Sequence, residues 1–364
     1  MTPALTMWNG NVNNMDPLQK EQLQNLQRQL EQNREVVILI HHNPDGDALG
    51  SALALSMYLE QYGHSCEILS PNAFPDFLQW MPGIGKVHRA DLEPEYCAEK
   101  VNKAGLIFCL DFNQSKRVQD LQIPLEKSKA FKALIDHHIA PEDQFDFVYS
   151  VTDETSSTCE LVYQFIAHYR NDGDKITREM AECLYAGIMT DTGSFSYSCD
   201  NPSTHETAGK LIAMKINGER IHRNIYDTYS ENRVRLLGFS LSERLHVLPE
   251  YATSYIYLTK EDLKRFNYRQ GDTEGIVNYG LSMKPVRFTA FFSERDGRIR
   301  ISFRSKGDFD VNEFARAHFN GGGHKNAAGG ESFDTMEETI RRFLEALPKY
   351  PNKLCPLCAG AYAF

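Results

Sequence analysis

Short apolar runs rich in β-branched residues alternate with longer amphipathic stretches through the first half of the chain. The strand-like runs lie at Val36 to Ile40, Cys66 to Leu69, Gly105 to Leu110 and Ala133 to Ile135, and the helical patterns lie at Asp47 to Tyr62, Ser156 to Tyr169 and Arg178 to Met189. Strands that alternate with helices in this way pair in parallel. The pattern therefore predicts an α/β domain built on a doubly wound, mostly parallel sheet.

The pattern changes after a mostly helical region from Ser203 to Leu245, in which we interpret Gly218 and Gly238 as interruptions. The later strand-like runs lie at Ser254 to Leu258, Val286 to Phe292 and Arg298 to Arg304, and the helical patterns lie at Glu274 to Tyr279, Val311 to Ala317 and Thr335 to Leu347. This mixture predicts a smaller α+β domain with a mixed sheet. We predict a disordered tail over 1–15, a first domain over 16–215, a helical connector over 216–248, a second domain over 249–348 and a tail over 349–364.

Four acidic segments follow apolar stretches in the predicted first domain. They are His41-His42-Asn43-Pro44-Asp45-Gly46-Asp47, Leu110-Asp111-Phe112, Asp136-His137-His138 and Met189-Thr190-Asp191-Thr192-Gly193. Aspartate beside glycine or proline is usually a turn residue or a helix cap, so one such segment alone would mean little. An open α/β sheet, however, keeps its active site at the carboxyl ends of its strands. We therefore expect the four segments to meet at one edge of the sheet.

Carboxylates crowded at one sheet edge repel one another and raise one another's pKa values, whereas divalent cations would hold them ionised. A set of carboxylates with a few imidazoles suits Mn²⁺ or Mg²⁺ better than a thiolate-rich zinc site, and none of the eight cysteines enters a motif. The sequence therefore predicts two divalent ions, with Mn²⁺ favoured. Such a pair can lower the pKa of a shared water and direct the hydroxide at a phosphorus atom, so P–O bond hydrolysis is expected.

The order of these segments resembles that of the DHH phosphoesterase superfamily. The run Gly-Gly-Gly-His-Lys-Asn-Ala-Ala-Gly-Gly, residues 321 to 330, resembles the glycine motif of its associated C-terminal domain. The chain is most similar to the nanoRNase type, which degrades very short oligoribonucleotides and dephosphorylates 3′-phosphoadenosine 5′-phosphate. The resemblance implies a DHH catalytic domain, a substrate-binding domain and an active site in the cleft between them. It also suggests a homodimer.

The resemblance also implies roles for individual residues. The metal ligands it assigns are His41, Asp45, Asp47, Asp111, His137 and Asp191. Asp111 would bridge the two ions, His138 would meet the substrate phosphate, and Asp136 would orient its neighbours. His42 is equally close in sequence to the aspartates, but the spacing to Asn43 and Asp45 favours His41 as the ligand.

The substrate-binding residues are predicted in the second domain. Gly321, Gly322 and Gly323 could present successive backbone N–H groups as an anion-binding nest, with His324 adding positive charge. Arg304, at the end of a predicted strand, could bind a phosphate through its guanidinium group. The alternative for the glycine run alone is a flexible turn.

The net charge of −10 favours a small phosphate ligand over a long nucleic acid, whose binding draws on many basic side chains. We expect substrates of two to five nucleotides or a small bisphosphate, and no long duplex. No apolar run approaches the roughly 18 residues of a membrane span, and we see no signal region, so a cytoplasmic protein without a membrane partner is expected. The scattered cysteines are expected to be reduced, and Cys355 and Cys358 lack the further pair that a structural zinc site needs.

Other functions remain open at this point. The same metal motifs could hydrolyse linear or cyclic dinucleotides used in signalling, or act on polyphosphate or pyrophosphate. A nucleotide sensor without catalytic activity is a further alternative, but every motif carboxylate is present, which argues against it.

Overall fold

The computed structural model describes residues 17–31, 35–152, 154–351 and 353–354. The chain divides into two compact units, Met1–Thr228 and Tyr229–Phe364. The division falls inside the region 216–248 that we predicted as a connector. No helix among the described residues is long and apolar enough to cross a membrane. The predicted tail over 1–15 and the pair Cys355 and Cys358 lie outside the described residues.

The first unit is built on a parallel sheet of six strands in the order β3-β2-β1-β4-β5-β6. The strands are β1 (Glu35–Leu39), β2 (Ser65–Ser70), β3 (Val87–Arg89), β4 (Leu106–Leu110), β5 (Phe131–Asp136) and β6 (Phe147–Ser150). The predicted parallel α/β sheet is thereby confirmed. The strand order reverses between β1 and β4, and this switch point is where ligands bind in open α/β sheets.

The inner strands read as continuous apolar runs because helices cover both faces of the sheet. All five residues of β4 are buried. The helices of this unit are α1 (Pro17–Leu30), α2 (Gly46–Glu60), α3 (Pro94–Lys103), α4 (Gln122–Lys127), α5 (Thr158–Gln164), α6 (Arg178–Asp191), α7 (Pro202–Ala213) and α8 (Gly218–Tyr226). Helices α2 and α6 pack closely, since a Cβ at Gly50 would lie 2.5 Å from the carbonyl oxygen of Cys183.

The second unit contains a mixed sheet of six strands in the order β11-β12-β10-β9-β8-β7, in which only the β8–β9 pair is parallel. The strands are β7 (Leu245–Leu248), β8 (Thr253–Leu258), β9 (Phe288–Arg295), β10 (Arg298–Ser305), β11 (Gly322–Gly323) and β12 (Ala327–Ser332). The predicted mixed sheet is confirmed. The glycine run, however, is not a loop, because it supplies β11 and part of β12.

Helices pack on both faces of the second sheet. They are α9 (Glu231–Glu243), α10 (Lys260–Arg265), α11 (Ile276–Ser282), α12 (Val311–His318) and α13 (Met336–Ala346). One face forms a phenylalanine-rich core in which Phe303 and Phe343 contact Phe314. The opposite face packs Phe291 with apolar residues of α9 and α11. Gly238 lies inside α9 rather than at an interruption, so that prediction was wrong.

Candidate metal centre

The four acidic segments meet at the carboxyl edge of the parallel sheet. His41 lies two residues after the end of β1, Asp111 directly follows β4, and Asp136 is the last residue of β5. Asp191 is the last residue of α6, the helix that packs against α2. Chain topology thus brings side chains up to 150 positions apart in sequence to one edge.

Asp111 stands at the centre of this cluster. Its Oδ2 lies 3.3 Å from His41 Nε2, and its Oδ1 lies 3.4 Å from His137 Nε2. Oδ1 also accepts a hydrogen bond from the Thr158 hydroxyl at 3.0 Å. The backbone of Asp111 is left-handed, with φ of 62°, a conformation that aspartate and asparagine tolerate better than most residues. The strained backbone at a strand end turns this carboxylate across the cluster.

One side of the cluster consists of His41 and Asp45 with Asp111. His41 Nε2 lies 4.0 Å from Asp45 Oδ1, while its Nδ1 contacts the His42 carbonyl at 3.0 Å. Asp45 also caps α2, since its Oδ1 accepts the backbone N–H groups of the first turn. Asp45 is therefore a helix cap, as the alternative interpretation of these aspartates suggested, and it also adjoins His41 in the cluster. His41 belongs to a group of possible metal ligands among the described residues, and His42 does not.

The other side consists of Asp47, His137 and Asp191. Asp47 is fully buried, and its two oxygens accept the backbone N–H groups of Thr158 and Cys159 at 2.7 and 2.8 Å. His137 Nε2 lies 3.3 Å from Asp191 Oδ2 and 3.9 Å from Asp47 Oδ2. The N-terminus of α5 thus holds Asp47 in place. Asp47 and Asp191 both face His137.

Gly46 allows these segments to approach one another. A Cβ at position 46 would lie 2.5 Å from Thr190 Oγ1, which is closer than atoms can pack. Gly46 separates Asp45 from Asp47, and Thr190 directly precedes Asp191. The glycine is therefore required by close approach between the start of α2 and the end of α6.

Asp136 contacts His138 rather than His137. Its Oδ1 lies 2.7 Å from His138 Nδ1, so the carboxylate accepts a hydrogen bond from this ring nitrogen. Arg117 Nη1 lies 3.4 Å from His138 Nε2. The Arg117 carbonyl in turn accepts the His42 N–H at 2.8 Å, which ties its segment to the end of β1.

Burial and charge set the protonation of the cluster. Burial, followed by the negative charges of Asp111 and Asp191, raises the pKa of Asp47 well above its usual range. Asp111 is also buried, but hydrogen bonds from His137 and His41 hold its pKa well below its usual range. Burial lowers the pKa of His137, but the surrounding carboxylates outweigh it and raise that pKa well above its usual range. The crowded negative charge is therefore balanced by protons, which divalent cations would replace.

The donor set suits such cations. His41, Asp45 and Asp111 place one ligand atom each within 4.8 Å of one another, and Asp47, Asp111 and His137 do the same. Asp111 belongs to both groups, and the donors are carboxylate oxygens and imidazole nitrogens, which suit Mn²⁺. The nearby Cys159 belongs to none of the groups of possible ligands among the described residues, and burial, followed by the charge of Asp47, raises the pKa of its thiol well above its usual range.

The sequence patterns missed two residues of this site. Arg117 is six positions beyond Asp111 in a short 3-10 helix, Ser115–Leu121, and the only signal was the basic pair Lys116-Arg117 after the strand-end motif. Thr158 is the first residue of α5, which Ser157 caps, and the Thr158 hydroxyl donates to Asp111.

The predicted substrate residues lie together within the second unit. Arg304 pairs with Ala327 across the β10–β12 ladder, and the Ala327 carbonyl accepts the His324 N–H at 2.7 Å. The predicted anion nest is not formed by Gly321 and Gly323. Their N–H groups donate to the Ala315 carbonyl and to Asn312 Oδ1 within the unit.

The glycines are instead required for close approach. A Cβ at Gly321 would lie 2.0 Å from the Gly329 carbonyl oxygen, and Gly323 has φ of 153°. The run therefore packs two backbones together and positions the turn that carries His324.

Comparisons with known proteins agree with this geometry. Residues 35–188 match the model of the DHH family, N-terminal domain, and residues 249–352 match that of the DHHA1 domain. The chain belongs to the DHH phosphoesterase family. It is therefore a metal-dependent phosphoesterase, as the strand-end motifs predicted, and the resemblance to the nanoRNase type is confirmed.

Individual DHH relatives cover most of the chain. The Bacillus subtilis (strain 168) bifunctional oligoribonuclease and PAP phosphatase NrnA is 28% identical over 315 residues, which are 86% of this chain and 95% of that protein. The crystal structure of an exopolyphosphatase-related protein from Bacteroides fragilis has a TM-score of 0.86 at 41% identity, covering 92% of this chain and 98% of that one. RecJ from Thermus thermophilus, in complex with Mn²⁺, has a TM-score of 0.52 at 13% identity and covers 92% of this chain and 55% of its own. At that identity RecJ shows the shared fold alone.

Proposed function

We propose that the protein hydrolyses short oligoribonucleotides and 3′-phosphoadenosine 5′-phosphate with two divalent ions, preferably Mn²⁺. The observation that carries this proposal is the position of Asp111 in both groups of possible ligands. A carboxylate shared by two groups is what a paired-metal hydrolase requires. The substrate class comes from the relative in Bacillus subtilis, which is named for both activities and covers 86% of this chain.

In this proposal, His41, Asp45 and Asp111 hold one ion, and Asp47, Asp111, His137 and Asp191 hold the other. When bound, such a pair supplies a water of lowered pKa and positive charge for the phosphoryl oxygens. The backbone N–H groups of α5 keep Asp47 fixed. The Thr158 hydroxyl does the same for Asp111, so the ligands are held in place before the ions bind.

His138 and Arg117 are proposed to bind the substrate phosphate. Asp136 accepts a hydrogen bond from His138 Nδ1, so the ring orientation is set by a buried carboxylate. Among the described residues, Arg117 makes no ion pair, so its guanidinium has charge available for a phosphate oxygen. His138 adjoins Asp111, since its Nδ1 lies 3.8 Å from the Asp111 Oδ1, and Arg117 in turn adjoins His138.

The second unit is proposed to bind the rest of the substrate through Arg304 and His324, with the Gly321 to Gly323 run positioning the turn that carries His324. The β10–β12 register and the turn before Ala327 bring Arg304 and His324 to one end of this ladder. The homodimer, the cleft between the domains, the domain boundaries and the cytoplasmic location stay predictions.

A substrate panel with Mn²⁺ tests the proposal. The panel compares linear diadenylate, penta-adenylate, a 24-nucleotide RNA, 3′-phosphoadenosine 5′-phosphate, cyclic diadenylate and tripolyphosphate. We expect the highest kcat/KM on the di- to pentanucleotides, with release of inorganic phosphate from the bisphosphate. Preference for the 24-nucleotide RNA would contradict the proposed substrate length.

Polyphosphate hydrolysis is the second candidate function. It is favoured by the Bacteroides fragilis protein, which is described as exopolyphosphatase-related and is 41% identical. Tripolyphosphate has no base or ribose, so a preference for it over every nucleotide in the panel would select this function instead.

A further inference from the structure

Three arginines form a cluster at the β9–β10 hairpin of the second unit, and nothing so far assigns them a role. This arginine cluster consists of Arg295, Arg298 and Arg300. The hairpin turns at Asp296 and Gly297, which both have positive φ, the pattern of a type I′ turn. The tight turn places Arg295 directly opposite Arg298, and Arg300 follows on the same face.

The positive charge of the cluster is only partly compensated. Arg298 pairs with Glu331 at 2.7 Å and Arg300 pairs with Asp296 at 2.8 Å. Arg295 donates to the Tyr268 hydroxyl and has no carboxylate partner among the described residues. Three guanidinium groups thus face two carboxylates, and Asp296 is itself 63% exposed. Burial, followed by the charge of Arg295, lowers the pKa of the Arg300 guanidinium, as expected for crowded like charges.

Polar atoms in the cluster also lack acceptors. Across the described residues, the Nε–H groups of Arg295, Arg298 and Arg300 are buried without a hydrogen-bond partner. The Ser293 hydroxyl, which faces Arg300 across the β9–β10 ladder, is 1% exposed and likewise has no partner in the described part of the chain. Unmet donors of this number are costly in a folded protein, and an oxyanion would supply the missing acceptors.

The cluster lies on the face of β10 whose side chains are partly exposed. Along β10, Arg298, Arg300 and Arg304 are on one face, because the alternate residues Ile299, Ile301 and Phe303 are buried on the other. Beside this face, β12 contributes the exposed Gly329, opposite Ser302. Between Glu331, which stands opposite Arg300, and Ala327, which stands opposite Arg304, this glycine leaves space beside β10 for a ligand.

The separation along the strand indicates how long that ligand is. Residues four apart on an antiparallel strand are about 14 Å apart, which is the separation of Arg300 and Arg304. A single nucleotide bisphosphate that contacts Arg304 is too short to reach Arg300 as well. A single-stranded oligonucleotide with several phosphates is long enough.

We propose that the arginine cluster binds the phosphates of the nucleotides beyond the first one or two of an oligoribonucleotide. This inference rests on the proposed function, since Arg304 on the same face is the proposed contact for the near end. The cluster would then determine which substrate lengths bind well, without affecting the hydrolytic step. The cluster and Arg304 lie on the same face of β10. A single-stranded nucleic acid, which carries a phosphate at every nucleotide, is therefore favoured over a phosphopeptide.

The test uses the full chain carrying Arg298→Gln together with Arg300→Gln. The control is Arg341→Gln together with Lys349→Gln, which removes the same charge from exposed positions at α13, on the other face of the sheet. We expect KM for penta-adenylate to rise about tenfold, and the salt dependence of its binding to fall by about 0.7 in log–log slope for each lost phosphate contact. KM for diadenylate and for 3′-phosphoadenosine 5′-phosphate should stay within about twofold of the unsubstituted protein, as should kcat for all three.

Other results would overturn the inference. They are an equal rise of KM for all three substrates, no rise for penta-adenylate, or a change in molecular mass by light scattering, which would identify the cluster as a contact between copies. If the double variant does not fold, Arg298→Lys with Arg300→Lys keeps the charge, and an intermediate KM is expected.

A binding measurement separates this inference from the proposed function. If the unsubstituted protein hydrolyses no nucleotide, the proposed function fails. The anisotropy of fluorescein-labelled penta-adenylate without metal then still decides the role of the cluster. Binding that is weaker in the double variant than in the control supports it, and equal binding overturns it.

Discussion

The two units concentrate charge of opposite sign, and each concentration is incompletely balanced by the protein itself. At the carboxyl edge of the first sheet, five aspartates adjoin three histidines, and the pKa values of Asp47 and His137 are both raised well above their usual ranges. On the second sheet, three guanidinium groups face two carboxylates. Crowded carboxylates are relieved by cations and crowded guanidinium groups by anions. The comparison separates a unit suited to chemistry from a unit suited to binding.

Substituting Asp111 tests the acidic half of this comparison and should have the largest effect. Asp111→Asn keeps a residue that tolerates the left-handed backbone but removes the charge shared by both ligand groups. Metal catalysis of this kind contributes several kcal/mol, so kcat should fall by about a thousandfold or more. Mn²⁺ should raise the melting temperature of the unsubstituted protein more than that of the variant.

The second unit supplies the control for Asp111→Asn. The affinity of Asp111→Asn for penta-adenylate, measured by anisotropy without metal, should equal that of the unsubstituted protein if the acidic cluster and the arginine cluster act independently. Near-normal Mn²⁺-dependent turnover in the variant would show that Asp111 is not the shared ligand.

Arg117 is an exception to the comparison, because it is a basic residue at the edge of the acidic cluster. Arg117→Gln removes the guanidinium that adjoins His138 Nε2. A hydrogen bond to a charged group is worth about 1.5–3 kcal/mol, so kcat/KM should fall about ten- to a hundredfold. The exposed neighbour Lys116 provides the matched control, and an equal loss in Lys116→Gln would mean that only the general charge of the segment matters.

Arg244 is an arginine of the second unit whose hydrogen bonds are satisfied, and loss of its partner should affect stability rather than turnover. Arg244 forms two hydrogen bonds of 2.9 Å with Asp262, which is 6% exposed and accepts the Thr259 N–H. Burial raises the pKa of Asp262, but the bonds from Arg244 and Thr259 outweigh it and hold that pKa below its usual value. Asp262→Asn should therefore destabilise this unit by about 1–3 kcal/mol at neutral pH, whereas Arg300→Gln should cost less than about 0.5 kcal/mol.

The pH dependence of the Asp262 effect has a definite sign. A carboxylate whose folded pKa is depressed stabilises the protein above its unfolded value of about 3.9, and this stabilisation is lost as pH falls through the folded pKa. Hydrogen–deuterium exchange of peptides from the second unit should show the difference at pH 7 and a smaller one below about pH 4. Glu345→Gln, which breaks an exposed ion pair on α13, is the control and should change exchange little at either pH.

Much of the first unit could be predicted because its inner strands are buried on both faces. Such strands read as uninterrupted apolar runs, so a carboxylate at the end of one, as at Asp111, is conspicuous. The edge strands β3 and β6 were not predicted, because they have only three and four residues. Arg117 was missed because the short 3-10 helix that carries it is too brief to show a periodic pattern.

The glycine run shows the opposite case. Its composition alone suggested a nest of free N–H groups, but the acceptors of those groups are Asn312 and Ala315, on a helix that precedes the run. Hydrogen-bond partners of this kind depend on tertiary packing and leave no local signal. Gly238 was misjudged for a similar reason, because α9 tolerates an internal glycine at which a Cβ would meet nothing within 4 Å.

The contact between Gly46 and Thr190 makes two of the acidic segments mutually dependent. An added methyl group at position 46 would overlap the Thr190 side chain and push the start of α2 away from the end of α6. Asp45, Asp47 and Asp191 would all be retained, yet the spacing between them would change. Positions 46 and 190 therefore constrain each other sterically, and a larger residue at position 46 requires a smaller one at position 190. The distances between Asp45, Asp47 and Asp191 therefore depend on Gly46 and Thr190, two residues that are not proposed to bind metal.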